Sequence, residues 1–234
     1  LLNSLARSKN SPDEWCYINN FDESHIPLTL SLKPGDGKKL LASMNKCIDV
    51  LLSLFPEVFD NPGYQRQKAA IDREFNKKYD QAISIVEEIA LKDNVFLYEE
   101  NGEVGFSPLV DGKPLNDKEF ANLNETDRST FYQLLSELEV VLAEQLLELP
   151  AWKRLSFDQL RTLKNDTAEQ AIKPYLEELQ KEFNNNKGVL AYLNKVENHV
   201  VDAVLEILVT ESDDTPTDRE LRKLLVERFL PHLL

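Results

Sequence analysis

A stripe of mostly apolar side chains recurs every three or four residues between Tyr64 and Ile89. Its members are Tyr64, Lys68, Ile71, Phe75, Tyr79, Ala82, Val86 and Ile89. The helical period predicts one helix of roughly eight turns along this stripe. A helix of that length cannot be packed on all sides in a small globule, so we expect one arm of an antiparallel, coiled-coil-like hairpin. The stripe therefore predicts a mainly α fold.

Helical periodicity also covers most of the remaining chain, which holds only 7 glycines in 234 residues. We predict further helices over about 40–55, 124–149, 156–183, 189–208 and 219–228. Pro56 is expected to end the first, because proline has no N–H to donate. Pro150 is expected to kink or stop the second, and Pro174 is a candidate bend in the third. Asn124 offers N-cap chemistry at the start of the second arm.

Short strands are predicted at two places. Alternating residues indicate one strand over 15–18, ended by Asn19-Asn20, and a second over 28–32. Farther along, Val95–Tyr98 and Val104–Phe106 flank an Asn-Gly pair, which is a strong hairpin signal. Asp111-Gly112 marks another turn, so we expect a third strand at Leu109-Val110. These residues predict a small antiparallel β element at about 95–112 that caps the helical arm.

Residues near the start of the chain resemble those of one protease family. The resemblance rests on Trp15-Cys16-Tyr17-Ile18-Asn19-Asn20-Phe21, then on Pro27, Leu28, Leu30, Leu32, Pro34, Gly35, Gly37 and Met44, with a weaker echo at Tyr64, Arg66, Lys68, Ile71, Glu74, Phe75, Gly105, Phe106 and Pro108. The chain is similar here to Lon-like ATP-dependent proteases, hydrolases whose AAA-like ATPase region carries a large helical insertion. The resemblance implies three parts: a partial ATPase-like segment with short strands (1–36), a helical insertion domain (37–215) and a C-terminal helix that returns to the ATPase-like module (216–234).

The resemblance also implies a function for the parent protein. Such proteases cleave polypeptides with a serine activated by a lysine, use or once used ATP, and assemble as homo-oligomeric rings. This chain shows neither a P-loop nor a Ser-Lys protease domain, so we expect a fragment of a longer protein that alone neither hydrolyses ATP nor cleaves peptide bonds. Its implied role is to recognise, gate or sequester unfolded polypeptide. The alternative is a helical interaction scaffold unrelated to proteolysis.

No catalytic, cofactor-binding or metal site is predicted from local motifs. The turn at 33–39 has two glycines, but their spacing and the Lys39-Leu40 pair do not fit a P-loop. His25, His199 and His232 lie too far apart along the chain for a zinc motif. We therefore expect a turn before a helix at 33–39.

Charge and cysteine content restrict the class of protein and its partners. The formal net charge of -14 disfavours nucleic acid as a partner, because phosphates are repelled. Cys16 and Cys47 are too few for a disulfide framework, so we expect a cytoplasmic protein. No apolar run is long enough for a membrane span, and we expect no membrane partner.

Three aromatic residues of the small β element, Phe96, Tyr98 and Phe106, are the candidate substrate contacts. Their structural role would be to cover the end of the helical arm. Their functional role would be to offer an apolar surface to unfolded polypeptide, since extended segments can add to a sheet edge. The second arm is acidic and is either a solvated face, paired with basic residues of the first arm, or the lining of a cavity that repels unsuitable clients by charge. Its acids are Glu125, Asp127, Glu137, Glu139, Glu144 and Glu148.

Overall fold

Helices dominate the structure, a computed structural model that describes residues 12–100, 102–208 and 218–233. The helices are α1 (Asp36–Asp60), α2 (Pro62–Lys92), α3 (Asp117–Ala121), α4 (Glu125–Gln145), α5 (Leu149–Glu182), α6 (Lys187–Leu208) and α7 (Asp218–Phe229). The strands are β1 (Glu14–Ile18), β2 (Leu28–Leu32), β3 (Val95–Glu100), β4 (Glu103–Val110), β5 (Lys113–Pro114) and β6 (His232–Leu233). The predicted mainly α class, with long helices and small antiparallel sheets, is confirmed.

Contacts within the chain define two compact units. Unit 1 comprises residues 1–66 and 161–234, and unit 2 comprises residues 67–160. A division by compactness does not say which stretch derives from an ATPase-like module. The boundaries 1–36, 37–215 and 216–234 therefore stay a prediction, and residues 1–11 and 209–217 lie outside the described part.

In unit 1, β1 is the central strand of a three-stranded sheet and pairs antiparallel with both β2 and β6. Side chains alternate along the strand, so Cys16 and Ile18 enter the core while Trp15 and Tyr17 are exposed. The two strands expected near the start of the chain are confirmed. β6 adds a partner from the opposite end of the described chain.

The core of unit 1 is formed by this sheet with α1, α5, α6 and α7. Within this core the hydroxyl of Tyr192 donates a buried hydrogen bond of 2.8 Å to the carbonyl oxygen of Phe229. The Phe21 ring packs against both residues, with ring centroids 6.1 Å from Tyr192 and 5.6 Å from Phe229, and it also stacks on the His199 ring at 4.6 Å. Burial raises the pKa of Tyr192 well above its usual range. These contacts join α6 and α7.

Unit 2 has a smaller core, in which helix residues meet the second sheet. Ala90 of α2, Val95 of β3, and Phe131 and Leu138 of α4 form the buried cluster. The C-terminal end of α2 lies beside the first half of α4, whereas the middle of α2 shares a groove with the end of α4. This pairing makes α2 and α4 antiparallel, as the sequence predicts for the two arms.

Side-chain caps fix the helix starts of unit 2. The Asn124 side chain accepts a hydrogen bond of 2.8 Å from the backbone N–H of Asp127, which confirms the predicted N-cap of α4. Before it, Asn116 and Glu119 form a capping box at the start of α3, a short helix that the apolar pattern did not predict. Both caps accept hydrogen bonds from backbone N–H groups of the first turn, which have no partner within the helix.

The predicted effect of Pro56 was wrong, whereas the second arm does stop shortly before Pro150. α1 runs through Pro56 to Asp60, because Phe55 is fully buried and the ring of Phe59 stacks on it at 6.5 Å. This packing offsets the lost hydrogen bond, which costs about 3 kcal/mol in a helix interior. α4 ends before Pro150, which lies in the first turn of α5, where a missing N–H has no partner to lose.

Helix α5 also differs from its predicted extent. It begins at Leu149 rather than near Ser156 and continues without interruption through Pro174. Its buried residues are Ala168, Ile172, Leu176 and Leu179, all in the part that belongs to unit 1. Those residues recur at helical spacing, so their burial keeps the helix continuous on both sides of the proline.

The third strand of the small sheet was predicted at the wrong residues. Leu109 and Val110 belong to β4, and they pair with Lys113-Pro114, which is β5. The connecting pair has positive φ, 51° at Asp111 and 74° at Gly112, as a tight hairpin turn requires. Because the turn consists of Asp111 and Gly112, β4 ends before Asp111 and the third strand, β5, begins after Gly112.

Candidate functional site

The three predicted contact aromatics, Phe96, Tyr98 and Phe106, lie on neighbouring strands but not on one face of the sheet. The register places Phe106 opposite Leu97, and directly opposed residues share a face. Phe96 and Tyr98 alternate with Leu97, so they lie on the other face. The structure brings two of the three residues together and separates the third.

The environments of these aromatics differ accordingly. Phe106 is partly buried against the cluster that contains Ala90. Tyr98 is 41% exposed, and its ring lies over Gly105, where an added Cβ would stand 2.5 Å from Cζ. Phe96 is half-buried. Tyr98 therefore has the largest surface available to a ligand, and the role of all three in substrate contact stays a prediction.

A groove in unit 2 combines apolar and acidic side chains. It has a volume of about 370 Å³ and lies between the middle of α2 and the turn that joins α4 to α5. Its lining includes Lys78, Ile85, Glu144, Leu147, Glu148 and Trp152. We call it the acidic groove.

The apolar part of the acidic groove faces solvent. Leu147 is 78% exposed and Ile85 is 45% exposed. Leu147 lies in the α4–α5 turn, where the chain changes direction, so its side chain is not covered by its own helix. Exposed apolar side chains in a concave surface are typical of binding sites.

The polar part of the groove has a defined arrangement. The indole Nε1 of Trp152 donates to Oε2 of Glu148 at 3.3 Å, which orients this carboxylate on the rim. The ammonium of Lys78 lies 3.4 Å from Glu74 of its own helix. Because that lysine is engaged within α2, Glu144 and Glu148 leave the groove with a negative character.

A second cleft, of about 530 Å³, lies in unit 1 between α1 and α5. At its edge Glu182 accepts a hydrogen bond of 2.9 Å from the Ser43 hydroxyl and lies 3.3 Å from the Lys39 ammonium. Cys47 also lines the cleft but is only 7% exposed, and burial raises its pKa to about 11. The thiol is therefore protonated at neutral pH and is not a candidate nucleophile.

The turn at 33–39 holds a carboxylate of the chain itself. Oε1 of Glu14 accepts from the backbone N–H of Gly35 at 2.8 Å, and Oε2 accepts from that of Gly37 at 2.9 Å. Backbone N–H groups at a helix start form a natural anion site, and here Glu14 fills it. The predicted turn before a helix is confirmed.

The histidines take separate positions. His199 stacks on Phe21, whereas His25 and His232 are exposed. Across residues 12–100, 102–208 and 218–233, no group of at least three His, Cys, Asp or Glu side chains has the arrangement to hold a metal ion. Among the helices of the same ranges, none combines the length and apolarity needed to cross a bilayer.

Comparison with known families gives a match in the part of unit 1 that contains Glu14. Residues 14–47 match the family model described as the Lon-like LonC helical domain. Over these residues, which we call the Lon-like segment, the chain is similar to that domain. The resemblance seen in the sequence is thereby confirmed for these residues. A comparison with curated proteins finds no match.

The Lon-like segment is a continuous structural piece. It spans β1, β2 and the first half of α1, and it contains Glu14 with both glycines that bind its carboxylate. These residues lie on the central sheet and first helix of unit 1. The match therefore covers the part of the sequence on which the resemblance depends most.

The sequence did not single out the residues of the groove. Glu144 and Glu148 are two of the six acids of the second arm that were considered as a cavity lining, whereas Leu147 and Trp152 were not considered. A signal was present, because Leu146-Leu147 and Trp152 flank Pro150 in a stretch that one helical stripe cannot bury. Their convergence with Ile85 of α2 required the structure.

Proposed function

We propose that this chain is the part of a Lon-like ATP-dependent serine protease that recognises, gates or sequesters substrate polypeptide. The observation that carries the proposal is the match of residues 14–47 to the Lon-like helical domain. Such a domain belongs in a protease context, and the chain's own surface supplies a reason for polypeptide to bind. In this account the chain handles substrate, and the parent protein supplies ATP turnover, the serine-lysine dyad and the ring.

The surface of unit 2 supports this role. Large apolar side chains are exposed on its helices, including Tyr132 (57%), Val140 (57%), Leu155 (47%) and Phe157 (63%). Folded proteins display short apolar segments only rarely, whereas unfolded chains display them throughout. An unfolded chain can contact several of these apolar side chains at the same time. We therefore expect the surface of unit 2 to bind unfolded polypeptide more tightly than folded protein.

The chemistry of the described residues is consistent with a handling role. The Glu14 carboxylate occupies the one glycine-rich turn that resembled a phosphate site. The thiols of Cys16 and Cys47 are buried, and burial raises both pKa values. These groups stabilise the fold of unit 1, and polypeptide handling needs neither a bound phosphate nor a nucleophile.

Suppression of aggregation tests the proposal. A reduced and denatured protein is diluted into buffer with and without this chain, and light scattering is followed without nucleotide. We expect the chain to reduce scattering in proportion to its concentration, while casein incubated with the chain and ATP stays intact. Scattering that is unchanged by excess chain would contradict the proposal, as would ATP-dependent cleavage of casein by this chain alone.

A further inference from the structure

The acidic groove differs from the other exposed apolar sites of unit 2 because it places charge beside an apolar contact. Leu147 and Ile85 offer an apolar surface, and Glu144 and Glu148 line the same groove. Isolated exposed residues such as Val140 lack this concave lining. A ligand in the groove would meet both kinds of group together.

We propose that the acidic groove binds polypeptide segments in which a large apolar side chain is followed closely by lysine or arginine. The inference rests on the proposed function and adds a substrate class to it. The apolar side chain packs against Leu147, Ile85 and Trp152. The cation lies beside Glu144 and Glu148.

Charge complementarity favours this occupant over others. Residues 67–160 contain 10 Lys and Arg against 19 Asp and Glu. Within the groove, Lys78 already lies 3.4 Å from Glu74 of its own helix. A basic segment is therefore attracted both by the unit as a whole and by the groove, whereas an acidic segment is repelled.

The geometry of the rim adds specificity to the attraction. The indole N–H of Trp152 holds the Glu148 carboxylate, so one acceptor of the groove is oriented before a ligand arrives. Its ring remains available for an apolar or cationic side chain, since Trp152 is only partly buried. A guanidinium that stacks on the ring meets Glu148 at its edge.

Three labelled peptides of equal length test the inference by fluorescence anisotropy. The first combines leucine and phenylalanine with arginine, the second replaces arginine by glutamate, and the third replaces the apolar residues by serine. We expect the wild-type chain to bind the first roughly tenfold more tightly than either other peptide at low ionic strength. Equal binding of the first two would overturn the charge requirement, and equal binding of the first and third would overturn the apolar requirement.

Matched variants locate the binding site. E144Q/E148Q removes two charges from the groove, and E137Q/E139Q removes two from exposed positions elsewhere on α4. Leu147→Ser removes the apolar contact, and Val140→Ser makes the same kind of change at an exposed position of α4 outside the groove. We expect the groove variants to weaken binding of the first peptide about 3- to 10-fold and the control variants to leave it within about twofold.

The outcomes separate this inference from the proposed function. If unfolded polypeptide binds but groove and control variants behave alike, the inference fails and the function stands. If the wild-type chain binds neither the peptides nor denatured protein, both fail. Because all four variants change exposed side chains, unchanged circular dichroism and melting temperature confirm that each is folded.

Discussion

The side chain of Glu14 lies so close to Gly37 that a Cβ on this glycine would stand 2.6 Å from Oε2. The same oxygen accepts the Gly37 N–H at 2.9 Å, and the second oxygen accepts from Gly35. A residue at the start of β1 thus caps a helix that begins more than twenty residues later. The contact fixes the strand, the turn and the helix of the Lon-like segment relative to one another.

Loss of the Glu14 carboxylate should destabilise unit 1. Glu14→Ala removes two charge-assisted hydrogen bonds and leaves the N–H groups of Gly35 and Gly37 without this acceptor. We expect the free energy of unfolding to fall by about 1–2 kcal/mol, as for loss of a helix cap. Urea denaturation followed by circular dichroism measures it, with the exposed Glu57→Ala as control. An equal effect of the two substitutions would contradict the capping role.

The close approach at Gly37 gives a coupled prediction. Gly37→Ala forces Glu14 away from the helix start, but alanine also favours a helix by up to about 1 kcal/mol. In the wild-type background the loss of the Glu14 hydrogen bonds opposes the gain in helix propensity, whereas in Glu14→Ala those hydrogen bonds are already absent. We therefore expect Gly37→Ala to change the free energy of unfolding more favourably in the Glu14→Ala background than in the wild-type chain. A double-mutant cycle of unfolding free energies tests this, and strict additivity would refute it.

The Tyr192 hydroxyl should contribute to the packing of α7 on α6. Tyr192→Phe keeps the ring against Phe21 but removes the donor to the Phe229 carbonyl oxygen, which is then buried without this partner. The expected loss of stability is about 1–2 kcal/mol. Chemical denaturation measures it, and Tyr132→Phe, at an exposed tyrosine of unit 2, is the control with little expected change. A neutral Tyr192→Phe would show that the hydrogen bond contributes no net stability.

The buried thiol of Cys47 should make the folded chain less stable at alkaline pH. Burial raises its pKa from 9.0 to about 11, so folding favours the neutral thiol. The stabilisation is fully present below pH 9, where the unfolded thiol is also neutral, and it is lost as pH rises towards 11. For this one group the loss reaches up to about 2 kcal/mol.

Urea denaturation between pH 8 and pH 11 tests the Cys47 prediction, with the window set by those two pKa values. Burial also raises the pKa of Cys16 and of Tyr192, so the wild-type chain has several contributions in this window. The informative quantity is the difference between the wild-type chain and Cys47→Ala, which should shrink as the pH rises. A constant difference across the window would contradict the assignment.

Substitutions at Tyr98 and Phe106, two of the predicted contact aromatics, should have different effects on stability and on polypeptide binding. Tyr98→Ser, at an exposed ring, should leave stability within about 0.5 kcal/mol and weaken binding of unfolded polypeptide. Phe106→Ala should cost about 2 kcal/mol, less than a fully buried phenylalanine, because the ring is only partly buried on the cluster of Ala90. Thermal unfolding and anisotropy measure the two effects. Tyr98→Ser that binds normally would exclude Tyr98 as a contact.

Local chemistry accounts for the features that the sequence predicted correctly. Asn124 caps α4 through an amide three residues away, and the turn at Asp111-Gly112 is determined by the backbone preferences of those two residues. Long amphipathic stripes predicted α2 because one period extends over many turns. Such signals need no knowledge of the rest of the fold.

Features that depend on distant residues were missed. Pro56 does not end α1 because the preceding Phe55 is fully buried in the core of unit 1, among residues from distant parts of the chain, and no local rule includes that packing. β6 pairs with β1 from the opposite end of the described chain. The apolar part of the acidic groove likewise forms only where α2 meets the α4–α5 turn. In each case tertiary contacts decide the outcome.

The central claim is that this chain distinguishes unfolded from folded polypeptide. The most direct measurement is the dissociation constant of one fluorescently labelled protein, in its native form and in its reduced, alkylated form, determined by anisotropy without nucleotide. The account predicts binding of the unfolded form at least roughly tenfold tighter than that of the native form, a difference of about 1.4 kcal/mol. Equal affinity for both forms, or no binding of either, would contradict it.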